Sequence, residues 1–187
     1  MELDVTSLSS CALTAAPSDC SNGGLTYMMA VKLLDENDGT VFTTVGRSTG
    51  TGPIDAGIRL DYVDKAFEVF VPRQAGSGTT QARRYGVGTV VDGYVNTWLH
   101  VTLVWNPSNL NVLLYYNGQA QTVTHEWRGK AINIQAPEKR LKLGVRFLSY
   151  DEPGKPGKNM VLDDFKVYNR PLTQAQVQSE LEGYVYF

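Results

Sequence analysis

Long apolar runs, cysteine and histidine are all scarce in this 187-residue sequence. No stretch reaches the ~18 uninterrupted apolar residues of a membrane span, so we expect no membrane insertion by this domain. The opening residues, MELDVTSLSS, lack the basic head and apolar run of a signal peptide. The 2 histidines lie far apart, with no nucleophilic serine or cysteine motif beside either. The sequence therefore gives no sign of a catalytic triad.

An excess of one charge is also missing, because 17 basic and 19 acidic residues are interspersed and the net charge is −2. A nucleic-acid surface would need a clustered basic stripe, so we expect no nucleic-acid partner. The composition, 42 % hydrophobic and 19 % charged, is that of an ordinary globular protein. We expect one domain over residues 1–187, as a fragment of a larger protein.

The 2 cysteines, Cys11 and Cys20, flank the short segment ALTAAPSD. A close pair across a Pro-Ser-Asp turn predicts a local disulfide, and two free thiols in a reducing compartment are the alternative. Two thiolates with no further cysteine or histidine nearby cannot complete a tetrahedral zinc shell.

Strand-like segments separated by turn residues fill most of the chain, at 25–34, 40–47, 58–63, 65–72, 85–91, 97–124, 139–147 and 160–168. Most of them alternate, whereas 25–34 is almost continuously apolar, as for a strand buried on both faces. Asn117-Gly118 is a strong signal for a two-residue hairpin. Thr173 and Gln176 are spaced as a capping box at the start of one short helix. Many strands without βαβ alternation predict an all-β fold, a two-sheet antiparallel jelly-roll sandwich with one short C-terminal helix.

The strand MVLDDFKVY at 160–168 carries two adjacent carboxylates. Strict alternation predicts that Asp163 shares an otherwise apolar face with Val161, Phe165 and Val167, while Asp164 lies on the other face. A carboxylate on an apolar face needs hydrogen bonds, a cation or a metal ion, so Asp163 requires an explanation.

Several of these segments, in this order, resemble the laminin-G-like, concanavalin-A-like jelly-roll domains, which include the pentraxins. They are WLHVTLVW followed by LLYYNGQ, then LKLGVRF, then VLDDFKVYNRPLTQAQVQSEL. The upstream stretch SSCALTAAPSDCSNGGLTYMMAVKL is similar to the opening of animal extracellular members, which favours the disulfide and an extracellular location. The resemblance covers about residues 8–183, but the pentraxin His-x-Cys-x-Ser signature is absent at His100. Pentraxin pentamers and phosphocholine binding are therefore not implied.

Asp163 has two interpretations, one of which is implied by the resemblance, since such domains often carry Ca²⁺ at a sheet edge. Asp163 is either a calcium ligand or a buried acid that accepts backbone amides. The resemblance also implies that His100 belongs to the scaffold. Binding candidates are Trp127, Arg128 and Tyr150, because exposed aromatics beside arginine commonly anchor binding surfaces.

The function indicated is a non-catalytic extracellular recognition or adhesion module that contacts a protein partner through loops at 48–57, 73–80, 125–137 and 149–159. A calcium-assisted, carbohydrate-binding lectin domain is the alternative, with a glycan as partner. A glycoside hydrolase is less favoured, because it needs two carboxylates facing one cleft and no strand carries acids two or four residues apart.

Overall fold

A computed structural model describes residues 2–3, 11, 20, 22–48, 58–75, 79–87, 93–106, 111–126, 131–132, 134–144 and 158–182. Its strands are β1 (Glu2–Leu3), β2 (Leu25–Leu33), β3 (Gly39–Ser48), β4 (Arg59–Val63), β5 (Ala66–Ala75), β6 (Thr79–Val87), β7 (Trp98–Asn106), β8 (Asn111–Tyr116), β9 (Gln119–Ala120), β10 (Val123–Glu126), β11 (Ala131–Ile132), β12 (Ile134–Leu143) and β13 (Met160–Tyr168). They are followed by the helix α1 (Gln174–Leu181).

The strands form two antiparallel sheets. The eight-stranded sheet has the order β1-β12-β3-β4-β5-β6-β10, with β11 also paired to β6, and the five-stranded sheet has the order β13-β2-β7-β8-β9. The inward side chains of both sheets form one apolar core that includes Tyr27, Phe42, Phe67, Leu103 and Trp105. The predicted all-β sandwich with a short C-terminal helix is therefore confirmed.

Two predicted loops are mostly strand. β5 and β6 pair as far as Ala75 opposite Thr79, so most of the expected loop at 73–80 belongs to a long hairpin. β11 and β12 likewise occupy much of 125–137. The Gly, Ser and Pro content of these segments predicted loops. The backbone hydrogen bonds of a continuing ladder outweigh these weak residue preferences.

β2 is apolar on both faces because each face is covered by a different layer. Tyr27 and Met29 point into the main core, whereas Met28 packs beneath α1 with Val104 and Val177. The helix begins with the predicted capping box, in which Thr173 Oγ1 accepts from the Gln176 amide at 3.3 Å. α1 therefore covers part of the outer face of the five-stranded sheet.

Cys11 and Cys20 form a disulfide, and both side chains lie in the main core. Beside this pair, Gly24 has a φ of +143° and leaves no room for a side chain. A Cβ atom at this position would lie 2.1 Å from the carbonyl oxygen of Trp105, so β2 begins with a close approach to β7 that only glycine permits. Among the described residues, no helix is long and apolar enough to cross a membrane.

Candidate functional site

The hairpin β4–β5 places charged side chains on the outer face of the eight-stranded sheet. Asp64 and Lys65 form its two-residue turn, with φ of 49° and 63°. Such a turn pairs Val63 with Ala66 and therefore sets Asp61 directly opposite Glu68. The alternate residues of both strands point into the core, so Asp61 and Glu68 share the face that points away from it.

Asp61 is bound to two neighbours on this outer face. Its Oδ1 accepts a hydrogen bond of 2.8 Å from the Thr40 hydroxyl, and its Oδ2 lies 2.9 Å from Arg59 Nε. This second contact is an ion pair. The Arg59 guanidinium also lies 3.9 Å from the ring centroid of Phe70, a cation–π contact. We call Thr40, Arg59, Asp61, Glu68 and Phe70 the outer cluster.

The outer cluster is largely withdrawn from solvent. Arg59, Asp61 and Glu68 are 8 %, 1 % and 7 % exposed. Charged groups this deeply buried are stable only when paired, and Asp61 is paired with a cation and a hydroxyl. Both oxygens of the Asp61 carboxyl group are therefore engaged by neighbouring side chains.

The Asp61–Glu68 pair was not predicted, because it forms between two strands and not along one. Residues directly opposite on antiparallel strands have Cβ atoms ~5 Å apart, so side chains at such positions are neighbours on one face of the sheet. The signal was present in the sequence: a two-residue turn at Asp64-Lys65 between alternating strands determines which residues face each other. The pair reopens the question of catalysis.

A second polar cluster lies at the β2–β3 turn, where Lys158 is inserted between backbone carbonyls. Lys158 Nζ donates to the Asp35 carbonyl oxygen at 2.7 Å, to Asp35 Oδ1 at 2.6 Å and to the Asn37 carbonyl oxygen at 2.7 Å. The Lys158 side chain is 0 % exposed. Its hydrogen bond to Asp35, together with one from Asn159, lowers the pKa of the Asp35 carboxyl to about 2. We call Asp35, Asn37, Lys158 and Asn159 the lysine clamp.

The structure corrects the predicted orientation of Asp163. A β-bulge between Asp163 and Lys166, with Asp164 at a φ of 49°, shifts the alternation by one residue. As a result Leu162 and Phe165 pack on the core, while Val161 and Asp163 are exposed. Asp163 Oδ1 accepts from the Asp164 amide at 2.8 Å.

Asp163 therefore does not lie on an apolar face, and the interpretation as a buried acid is wrong. Calcium binding by Asp163 stays a prediction. Within the ranges that the structure describes, no group of three or more His, Cys, Asp or Glu side chains is placed to hold a metal ion.

His100 lies on the outer face of the five-stranded sheet and is 3 % exposed. Its backbone amide donates to Asn117 Oδ1 at 2.9 Å, and its Nδ1 lies 3.4 Å from Thr102 Oγ1. Burial, followed by the nearby charge of Lys166, lowers the pKa of the imidazole to about 4. His100 is therefore neutral at physiological pH and packs as part of the scaffold.

The three predicted binding residues, Trp127, Arg128 and Tyr150, lie outside the described residues. Of the predicted site residues, the structure therefore gives the positions of Asp163 and of the two cysteines.

Comparison with known proteins agrees with the fold. The family model of the concanavalin A-like lectin/glucanases superfamily matches residues 8–178. A comparison with curated protein sequences finds no match.

Among solved structures, the botulinum neurotoxin serotype D binding domain superposes with a TM-score of 0.54 at 16 % identity, over 87 % of this chain and 37 % of that one. A candidate carbohydrate binding protein from Bacteroides ovatus superposes with a TM-score of 0.54 at 16 % sequence identity. The superposition covers 84 % of this chain and 40 % of that protein. The botulinum neurotoxin DC binding domain, solved in complex with rat synaptotagmin II, superposes with a TM-score of 0.53 at 12 % sequence identity. The superposition covers 88 % of this chain and 37 % of that domain.

This chain thus spans well under half of each of these three structures, and at such identities the similarity shows the fold alone. The family model, in contrast, covers most of the chain and agrees with the two-sheet sandwich described above. The chain belongs to the concanavalin A-like lectin/glucanases superfamily, as a laminin-G-like domain.

Proposed function

We propose that this domain is a non-catalytic recognition module of an extracellular protein, and that it acts by protein–protein contact. The parent protein would be secreted or membrane-anchored. The disulfide supports an extracellular location, because disulfides persist in oxidising compartments. Solved structures of the same fold include a toxin domain bound to synaptotagmin, which supports a protein partner.

One observation carries the proposal: two buried charged groups, Asp61 and Lys158, are engaged within the molecule. Asp61 is held by Arg59 and Thr40, and Lys158 is held by the β2–β3 turn. A catalytic acid or base must instead face its substrate and change protonation near the working pH. The pairing of these groups inside the molecule supports a role as a rigid scaffold that binds through its surface.

The contacts belong to the segments between strands, which a rigid sandwich presents to a partner. Trp127, Arg128 and Tyr150 remain the proposed anchors, since aromatic and arginine side chains dominate binding energies at protein interfaces. Lys158 and Asn159 are excluded from the binding loop at 149–159 because they belong to the lysine clamp.

The test begins with a panel of secreted and receptor ectodomains to identify a partner. Residues 149–157 are then replaced by Gly-Ser of equal length, and Trp127→Ala and Arg128→Ala are made separately. We expect binding to fall at least about tenfold in one or more of these variants, since one good anchor contributes ~2 kcal/mol. The melting temperature should stay within about 2 °C of the parent. Glu36→Gln, at an exposed ion pair with Lys65, is the matched control.

Full binding by every loop variant would contradict the proposed contact surface. Turnover on a polysaccharide panel would contradict the non-catalytic assignment, provided that it disappears in Glu68→Gln or Asp61→Asn while the fold is kept. Those two variants separate an enzyme from a binding module because they alter the cross-strand acid pair and leave the loops intact.

A calcium-assisted lectin is the second candidate. A solved structure of the same fold is a candidate carbohydrate binding protein, which supports this role. A glycan array with and without EDTA decides between the candidates. Calcium-dependent sugar binding that is lost in Asp163→Asn would favour the lectin, with Asp163 as a calcium ligand.

A further inference from the structure

The lysine clamp has the ligand chemistry of a cation site. Three oxygen atoms converge on Lys158 Nζ at 2.6–2.7 Å, and all three come from the short turn Asp35–Asn37. Two are backbone carbonyl oxygens and one is a carboxylate oxygen. Hard cations such as Ca²⁺ take these donors at ~2.3–2.6 Å, only slightly closer than the ammonium nitrogen.

The carboxylate of this site is held in position by further donors. The Asn37 amide donates to Asp35 Oδ1 at 3.0 Å, and Asn159 Nδ2 donates to Asp35 Oδ2 at 3.0 Å. Donors of this kind orient metal-binding carboxylates in metalloproteins. The turn therefore presents an ordered set of oxygens rather than a mobile acidic segment.

The ammonium fills this site completely. An ammonium group has three N–H donors, and Lys158 uses them on the three oxygens of the turn. Its side chain is 0 % exposed, and the Tyr62 ring centroid lies 4.7 Å from Nζ on the inner side. No position remains for a metal ion while Lys158 is present.

We propose that the Asp35–Asn37 turn is a cation-binding loop whose resident cation is the ammonium group of Lys158, and that Ca²⁺ takes the same oxygens once this ammonium is removed. The built-in cation joins the β2–β3 turn to the start of β13 at any calcium concentration. Removing it leaves two inward-facing carbonyl oxygens and a carboxylate without their cation, which Ca²⁺ with water molecules satisfies.

The test compares Lys158→Ala with Lys158→Ala/Asp35→Asn, each in EDTA and in 10 mM CaCl₂. We expect Lys158→Ala to melt at least about 5 °C below the parent in EDTA, and calcium to restore about 5 °C of that loss. The double variant should gain no stability from calcium, because the carboxylate ligand is gone. The melting temperatures of the parent and of its Asp163→Asn variant are measured in the same two buffers. A rise with calcium in the parent would show that calcium binds outside the lysine clamp.

Terbium luminescence provides a second readout, because Tyr62 lies close enough to sensitise an ion in place of Nζ. We expect Tb³⁺ emission from Lys158→Ala, displaced by Ca²⁺, and at least about fivefold less from the double variant. Equal melting temperatures of Lys158→Ala with and without calcium, together with no sensitised emission, would overturn the proposal. If Lys158→Ala is insoluble in EDTA, refolding in calcium supports the proposal and failure to refold in both conditions overturns it.

Discussion

At the scale of single residues, the polar groups withdrawn from solvent fall into two kinds. Lys158 and Asp61 are each paired with an oppositely charged side chain inside the fold. His100 avoids charge instead, because burial lowers the pKa of its imidazole from 6.5 to about 4. The stability of the domain should therefore depend on pH through His100 in mildly acidic solution.

The expected pH effect has a definite sign. The unfolded chain takes up a proton at His100 near pH 6.5, whereas the folded chain does so only near pH 4, so stability is full above pH 6.5 and falls as the pH drops toward 4. Between pH 7.5 and pH 4.5 we expect the parent to lose about 2–3 kcal/mol more than His100→Gln, measured by urea unfolding. If the free energies of unfolding of the two proteins changed equally with pH, the pKa of His100 would not differ between the folded and the unfolded chain.

At the scale of secondary-structure elements, the sequence predicted those whose signals are local. The Asn117-Gly118 hairpin and the Thr173–Gln176 capping box each depend on a few neighbouring residues, and both are present. The bulge at Asp163 could not be predicted from alternation, because one extra residue reverses every later side chain of the strand. β13 is the outermost described strand of its sheet, where a bulge and two carboxylates discourage pairing with another chain.

The outer cluster could not be predicted from the sequence for a different reason. Asp61 and Glu68 meet only because β4 and β5 are paired in one register, and a search along single strands cannot detect such a pair. The lysine clamp was still less predictable. Lys158 reaches the turn at Asp35 across most of the length of the chain, and only the assembled sandwich brings the two segments together.

The capping box gives a testable prediction for α1. Thr173→Ala removes the hydroxyl that accepts from the Gln176 amide, so we expect a loss of about 1 kcal/mol in the free energy of unfolding. Thr173→Ser keeps the acceptor and serves as the control, with a loss of no more than a few tenths of a kcal/mol. Equal stability of the alanine variant and the parent in urea unfolding would mean that the start of α1 adds little to the packing on Met28 and Val104.

At the scale of the whole molecule, the sandwich is closed differently on its two outer faces. α1 covers Met28 and Tyr115 on one side, whereas the outer cluster lies on the other. The disulfide Cys11–Cys20 adds a short covalent ring to the core, with the two cysteines nine residues apart in sequence.

Removing this disulfide should lower the stability of the whole domain. A ring of this size restricts the unfolded chain by about 2–3 kcal/mol, so Cys11→Ala/Cys20→Ala should melt about 5–10 °C below the parent in calorimetry. Since Cys11 is 1 % exposed, we also expect reductant without denaturant to act slowly, as measured by thiol trapping and mass spectrometry. A variant that melts at the parental temperature would show that the ring contributes nothing to the fold.

The pairing of β2 with β13 has a consequence for how the protein is made. β2 lies between β7 and β13, the last strand that the structure describes. A ribosome must therefore synthesise almost all of the described chain before that sheet is complete, and until then one edge of β2 offers unpaired backbone groups. The nascent chain is most exposed to misassembly during this interval, and chaperones that shield strand edges would act on it then.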